Sequence, residues 1–118
     1  MQDIKTLETA LNALALNGDM AAAVNQFYAD DCSFQEGNQP ARTGGKAAQL
    51  TYLANFFATV TKVNAIQLHG QAVGDGVTIS EWTIDLATTS GPILWNEIIR
   101  RQWRDGKVVS ERYYNAGA

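Results

Sequence analysis

Apolar positions in the first part of the chain recur at helical spacing, and those in the second part alternate. Ile4, Leu7, Leu11 and Leu14 fall at i, i+3, i+7 and i+10, which predicts one stripe of an amphipathic helix. Asn17-Gly18 ends it, because glycine accepts the left-handed conformation that closes helices. Asp19 caps a second helix from Met20 to about Tyr28, closed by "ADD", and the alternating "CSFQE" predicts a short strand. "GNQPARTGG" is a loop. A third helix, Lys46 to Val60, shows Leu50, Leu53, Ala54, Phe57 and Val60 on one face, with Tyr52 and Phe56 on a flank. Strands then follow at roughly Asn64 to Val73, Val77 to Thr88, Ile93 to Trp103 and Val108 to Asn115. "GDG", "TSGP" and "RDGK" supply the turns between them. Three helices followed by an antiparallel meander predict an α+β domain with the helices on one sheet face.

The final hairpin raises the question of chemistry. "WNEIIRRQWRDGKVVSERYYN" carries five of the chain's nine cationic residues with two glutamates and four aromatics. Two turns suit Asp105-Gly106. A tight two-residue turn pairs Arg104 with Lys107; a bulged turn with left-handed Gly106 pairs Trp103 with Lys107. The bulge is favoured, and it sets Arg101 opposite Val109, Ile99 opposite Glu111, Glu97 opposite Tyr113 and Trp95 opposite Asn115. One face then holds Trp95, Glu97, Ile99, Arg101, Val109, Glu111 and Tyr113; the other holds Ile98, Arg100, Gln102, Val108, Ser110, Arg112 and Tyr114. Either the charged face is solvated, its ion pairs structural, or it points into a cavity where the charges handle a ligand.

The length of 118 residues suits a single domain over residues 1–118, and 46% apolar with 18% charged residues describes a globular chain. A net charge of −3 argues against a nucleic-acid partner. Cys32 is alone, so no intrachain disulfide forms, which fits a reducing cytoplasm. It follows Asp30 and Asp31, whose charge raises a thiol pKa and argues against a nucleophile. The N-terminal stretch reads as neither signal peptide nor membrane span. One histidine, one cysteine and scattered carboxylates make no metal set. "GDG" and "TGG" read as turns and not phosphate loops, so no cofactor is expected. His69 lies opposite the Ile66 and Leu68 side of its strand and reads as a surface or interface residue.

The element order, with "FYADDCSF" (27–34), "TGGKAA" (43–48) and "WRDGKVVSERYYN" (103–115), resembles the SnoaL-like branch of the nuclear transport factor 2-like superfamily. The resemblance implies a cone-shaped curved sheet packed against three N-terminal helices, a pocket on its concave side and a homodimer through its convex side. It implies that Trp95, Glu97, Arg101, Glu111 and Tyr113 point inward, with Ile79, Glu81, Thr83 and Asp85 from the preceding strand and Phe34 and Glu36 from the short one. Hydrophobicity alone gives the opposite for the preceding strand, because Trp82, Ile84 and Leu86 are its apolar stripe. Only burial between subunits would let that stripe face outward.

On this reading Glu97, Arg101 and Glu111 are the candidate catalytic set. Arg101 would hold an acidic ligand head and the glutamates would orient it or serve as acid or base. Tyr28, Phe34, Glu36, Phe57, Glu81, Trp95 and Tyr113 are candidate ligand contacts. The set used by limonene-epoxide-hydrolase-like members is lost, since Glu81, Thr83 and Tyr113 stand at the matching positions and Phe34 and Glu36 at the water-holding ones. Isomerase- or cyclase-type proton transfer stays open, as does a non-catalytic dimerisation or protein-interaction module.

Overall fold

The computed structural model describes residues 3–116. It contains helices α1 (Ile4–Leu16), α2 (Met20–Phe27) and α3 (Gly45–Phe57), and strands β1 (Tyr28–Glu36), β2 (Val60–Val73), β3 (Val77–Thr88), β4 (Gly91–Arg104) and β5 (Lys107–Ala116). Asp3 caps α1 by accepting the Thr6 N–H at 2.8 Å, and Asp19 caps α2 by accepting the Ala22 N–H at 3.3 Å. "ADD" does not close a helix: it belongs to β1, which starts directly after Phe27. The strand order is β1-β5-β4-β3-β2. β2 to β5 form the expected antiparallel meander, and β1 adds to the edge of β5 in parallel, so the sheet is mixed. Three helices against this sheet make the α+β class expected from the chain.

Two glycines seat α3. Gly44 and Gly45 have φ of 93° and 62°, and a β-carbon on Gly45 would lie 2.3 Å from the Asp30 carbonyl oxygen. Only glycine lets the helix start this close to β1. One apolar cluster joins α1, α2 and the sheet through Leu11, Val24, Phe27, Phe34, Trp103 and Val108. A second gathers Ala15, Trp82 and Ile99.

The hairpin register differs from the favoured one by its turn. Asp105 and Gly106 both have positive φ, 52° and 77°, and Arg104 pairs with Lys107. This is the tight turn, whose twist matches that of the flanking strands. The bulge still occurs, but inside β5: Trp103 pairs with Val108 and Gln102 with Ser110, leaving Val109 as the extra residue. Arg101 therefore lies opposite Glu111, and Ile99 opposite Tyr113. Val108 moves to the inner face and is fully buried.

The parity of β3 is also corrected. Paired residues share a face, and Thr78, Ser80 and Trp82 lie opposite Arg101, Ile99 and Glu97. With the odd positions of β4 turned inward, the even positions of β3 must follow. Trp82 and Leu86 are buried under the helices while Ile79 and Glu81 are exposed. The apolar stripe takes the core face, as hydrophobicity alone requires. On the outer face, His69 Nε2 lies 2.7 Å from Thr83 Oγ1, which donates to Asn96 Oδ1 at 2.9 Å.

Candidate functional site

Arg101 is the largest fully buried side chain among the described residues. Its Nη1 donates to Glu8 Oε1 at 3.0 Å, Glu8 Oε2 at 3.1 Å and Asn12 Oδ1 at 2.8 Å. Its Nε donates to Glu111 Oε2 at 2.7 Å and to Tyr28 Oη at 3.3 Å. The hydroxyls of Tyr28 and Tyr113 both donate to the Glu111 carboxylate. Glu8 is held from the sheet by Thr78 Oγ1 at 2.9 Å, and Thr78 in turn accepts the Trp103 indole N–H at 2.8 Å. Charges taken out of water must be paired and hydrogen-bonded, and here they are. Burial opposes the charge on Arg101, but Tyr28, Glu111 and Glu8 overcome that and hold its pKa well above the ordinary value. Burial, reinforced by Glu111, raises the Tyr113 phenol well above the usual tyrosine range, and burial does the same for Tyr28.

Arg101 and Glu111 form the buried floor of a cavity of about 130 Å³. Its walls are Trp82, Ile84 and Leu86 from β3, Trp95 and Ile99 from β4, Tyr113 from β5 and Ile66 from β2. α3 covers it with Gln49, Tyr52, Leu53, Phe56 and Phe57, at successive i, i+3 and i+4 steps. Tyr52 and Phe57 are exposed and mark the rim. The cavity-facing stripe of α3 thus runs through the expected flank, while Ala54, placed on the main face, is exposed.

Glu97 projects into this apolar space between Trp82, its partner across the ladder, and Trp95. Arg101 is four residues along the same strand, about 13 Å away at the backbone, too far for a direct pair. The Glu97 carboxylate accepts no hydrogen bond and makes no ion pair among the described residues. No buried side-chain oxygen or nitrogen there lacks a partner, so the Glu97 oxygens are reached from the open cavity. Burial pushes its pKa up to about 7, with Glu36 and Glu111 adding to the rise and Arg101 opposing it.

Of the residues singled out in the sequence, Phe57, Trp95, Glu97, Arg101, Glu111 and Tyr113 line the cavity. Glu81 does not: it is exposed on the opposite face of the sheet, by the β3 parity above. Tyr28 and Phe34 lie behind the cavity, stacked on each other with centroids 5.7 Å apart, in the core. Glu36 is exposed at the edge, paired with Arg42 at 3.1 Å. Thr83 and Asp85 also face outward, where Asn64 donates to Asp85 at 3.3 Å.

Sequence reasoning missed Glu8, Asn12, Arg42 and Gln49. Glu8 and Asn12 sit one turn apart on the helix face that Leu11 and Ala15 bury. A polar pair on an apolar stripe was the available signal. Arg42 lies over the Tyr52 ring at 4.2 Å and donates to Gln49 Oε1 at 2.6 Å. Its loop position gave no periodicity from which to place it.

No group of three or more His, Cys, Asp or Glu side chains among the described residues could hold a metal ion. No helix among them is long and apolar enough to cross a membrane.

This architecture is shared widely among solved structures. A candidate SnoaL-like polyketide cyclase from Mesorhizobium loti superposes with a TM-score of 0.85 at 20% identity, covering 96% of this chain and 99% of that one. Another, from Jannaschia sp., gives 0.78 at 10% identity over 98% and 90%. An NTF2-like protein of unknown function from Burkholderia pseudomallei gives 0.79 at 8% identity over 98% and 92%. At such identities the likeness is one of fold. No curated protein matches the chain. The profile of the SnoaL-like domain matches residues 8–111, from the buried Glu8 to the buried Glu111, and the chain belongs to the SnoaL-like domain family.

Proposed function

We propose that the protein binds a small, largely apolar organic molecule in the cavity and that Glu97 exchanges a proton with it. The carrying observation is the Glu97 carboxyl: it faces an apolar space, has no partner among the described residues, and has a pKa raised to about 7. A carboxyl with that value is divided between acid and base near neutral pH, where general acid–base catalysis is most effective. Isomerase- or cyclase-type proton transfer at a carbon next to a carbonyl fits such a group. The candidate polyketide cyclases of the same fold favour this class of chemistry.

Arg101 is better read as a positioning residue than as an anion clamp. Its Nε and Nη1 are occupied by Glu8, Asn12, Glu111 and Tyr28, and together they fix Glu111 and Tyr113 at the floor.

The test is solvent exchange. Small ketones with acidic α-hydrogens are incubated with the protein in deuterium oxide and followed by proton NMR. Catalysed loss of the α-proton signal, rising with pH through about 7 and abolished by Glu97→Gln, is expected. Exchange that persists in the Gln variant would rule out Glu97 as the base.

A homodimer through the outer sheet face belongs to the same reading. Ile79, Leu94, Ile98 and Tyr114 expose 40%, 62%, 40% and 40% of their surface there, taking the place of the stripe expected at Trp82, Ile84 and Leu86. Light scattering should give a dimer at micromolar concentration, and Ile98→Glu a monomer. A dimerisation or interaction module without chemistry is the alternative, favoured if the dimer forms and no ligand enters the cavity. The unpaired Cys32 suits a reducing, cytoplasmic setting.

A further inference from the structure

We propose that the cavity takes a small organic cation, a protonated or quaternary amine, with its positive charge beside Glu97 and its alkyl groups against the aromatic walls. The proposal rests on the cavity being the ligand site and names the charge of what enters it.

Six of the lining residues are aromatic: Tyr52, Phe56, Phe57, Trp82, Trp95 and Tyr113. Trp82 and Trp95 flank Glu97 directly, by ladder pairing and by position on the strand. The Trp82 indole is fixed by its bond to Ser80 Oγ at 2.8 Å, and Trp95 by stacking on Phe56 at 5.4 Å. Ring faces attract cations, most of all ammonium groups stripped of water. The protein's own Arg42, 4.2 Å over Tyr52, shows that a ring at the rim already holds one.

Charge balance points the same way. The two guanidinium groups of the lining are balanced in charge, Arg101 by Glu8 and Glu111 and Arg42 by Glu36, although Arg101 Nη2 has no hydrogen-bond partner among the described residues. An incoming anion finds only the Nη2 N–H groups of a guanidinium already balanced by two carboxylates, and meets Glu97 and Glu111 beside it. A neutral guest is best accommodated by the protonated form of Glu97, since the carboxylate beside it would stay desolvated without compensation. A cation compensates the carboxylate and faces no unbalanced like charge.

The expected pH dependence follows from the groups that face Glu97. These are Glu36 from β1, Arg42 and Tyr52 from the loop and helix above, Arg101 on β4, and Glu111 and Tyr113 from β5; α1, α2, β2 and β3 contribute no titratable group to the lining. A permanent cation binds the carboxylate form of Glu97, so its affinity rises with pH through about 7 and then levels off.

The probes are three isosteres: choline, 3,3-dimethylbutan-1-ol and 3,3-dimethylbutanoate, titrated by NMR on the tryptophan indole N–H signals. At about pH 8 choline should bind about tenfold more tightly than the alcohol, and the carboxylate most weakly. The preference should shrink at about pH 6 and vanish in Glu97→Gln. Trp95→Leu, a second variant, should lose the choline preference while still binding the alcohol. Equal binding of choline and alcohol, or strongest binding by the carboxylate, overturns the proposal and leaves the cavity reading standing. Binding by none of the three overturns both.

Discussion

Arg101 Nε stands 2.7 Å from Glu111 Oε2, across one rung of the β4–β5 ladder, and neither residue is more than 3% exposed. The same guanidinium reaches Glu8 on α1 at 3.0 Å. One cation therefore ties the first helix to the last strand through two buried carboxylates. Arg101→Met should cost about 3–5 kcal/mol in urea denaturation, because both carboxylates lose their countercharge. Arg101→Lys should recover little, since a single ammonium lacks the fork that serves Glu8 and Glu111 together.

The raised pKa of Glu97 makes a second prediction, with a sign opposite to that of most carboxylates. Between the ordinary value of 4.5 and about 7 the folded protein keeps a proton that the unfolded chain has lost. Stability therefore falls as pH rises through that window and is constant above it. Glu97→Gln should be more stable than wild type at about pH 8, by on the order of 1–3 kcal/mol, with the gap closing near pH 4.5. A gap unchanged between those two pH values would show that Glu97 ionises normally in the fold.

Adjacent residues on β3 should differ sharply. Trp82 is 2% exposed and Glu81 lies on the open face. Trp82→Ala should destabilise by about 3–5 kcal/mol. Glu81→Ala should stay within about 0.5 kcal/mol. Thermal unfolding of the two variants side by side checks the parity of the strand.

Gly45→Ala should be worse than Gly37→Ala. Both positions have positive φ, 62° and 51°, but only at Gly45 does the added carbon meet backbone, at 2.3 Å. Conformational strain alone, about 1 kcal/mol, is expected at Gly37. At Gly45 the start of α3 must shift away from β1, and the loss should at least double, with the cavity roof displaced. Comparing urea midpoints of the two variants decides it.

Cys32 should be inert in the native protein. Burial, then Glu111 and Asp31, pushes its thiol up to about 12. A thiol reagent at about pH 8 should react only after denaturation. Rapid labelling of the folded protein would mean that β1 opens readily.

Helix stripes, strand alternation and turn residues are local properties, so the α+β order and the grouping of Trp95, Glu97, Ile99 and Arg101 on one face were legible from the chain, while their inward direction came only from the family resemblance. The apolar stripe of β3 was legible too: periodicity assigned it correctly and the comparison of folds did not. What local pattern could not supply was pairing. Whether Arg101 meets Glu111 or Val109 depends on a two-residue turn and on a bulge at Val109, and Asp-Gly suits both common hairpin turns, so the local sequence does not choose between them.

By itself the sequence determined which side chains share a face along each unbroken run, because the geometry of a helix or strand repeats every few residues; the bulge that turned Val108 inward lay beyond that. Only the tertiary structure decided what those faces meet. It brought Glu8 and Asn12 from α1 onto Arg101, and left Glu97 alone among rings. The physical reason is that an ionised group's partner is chosen by proximity in space. In this chain that joins residues 93 positions apart.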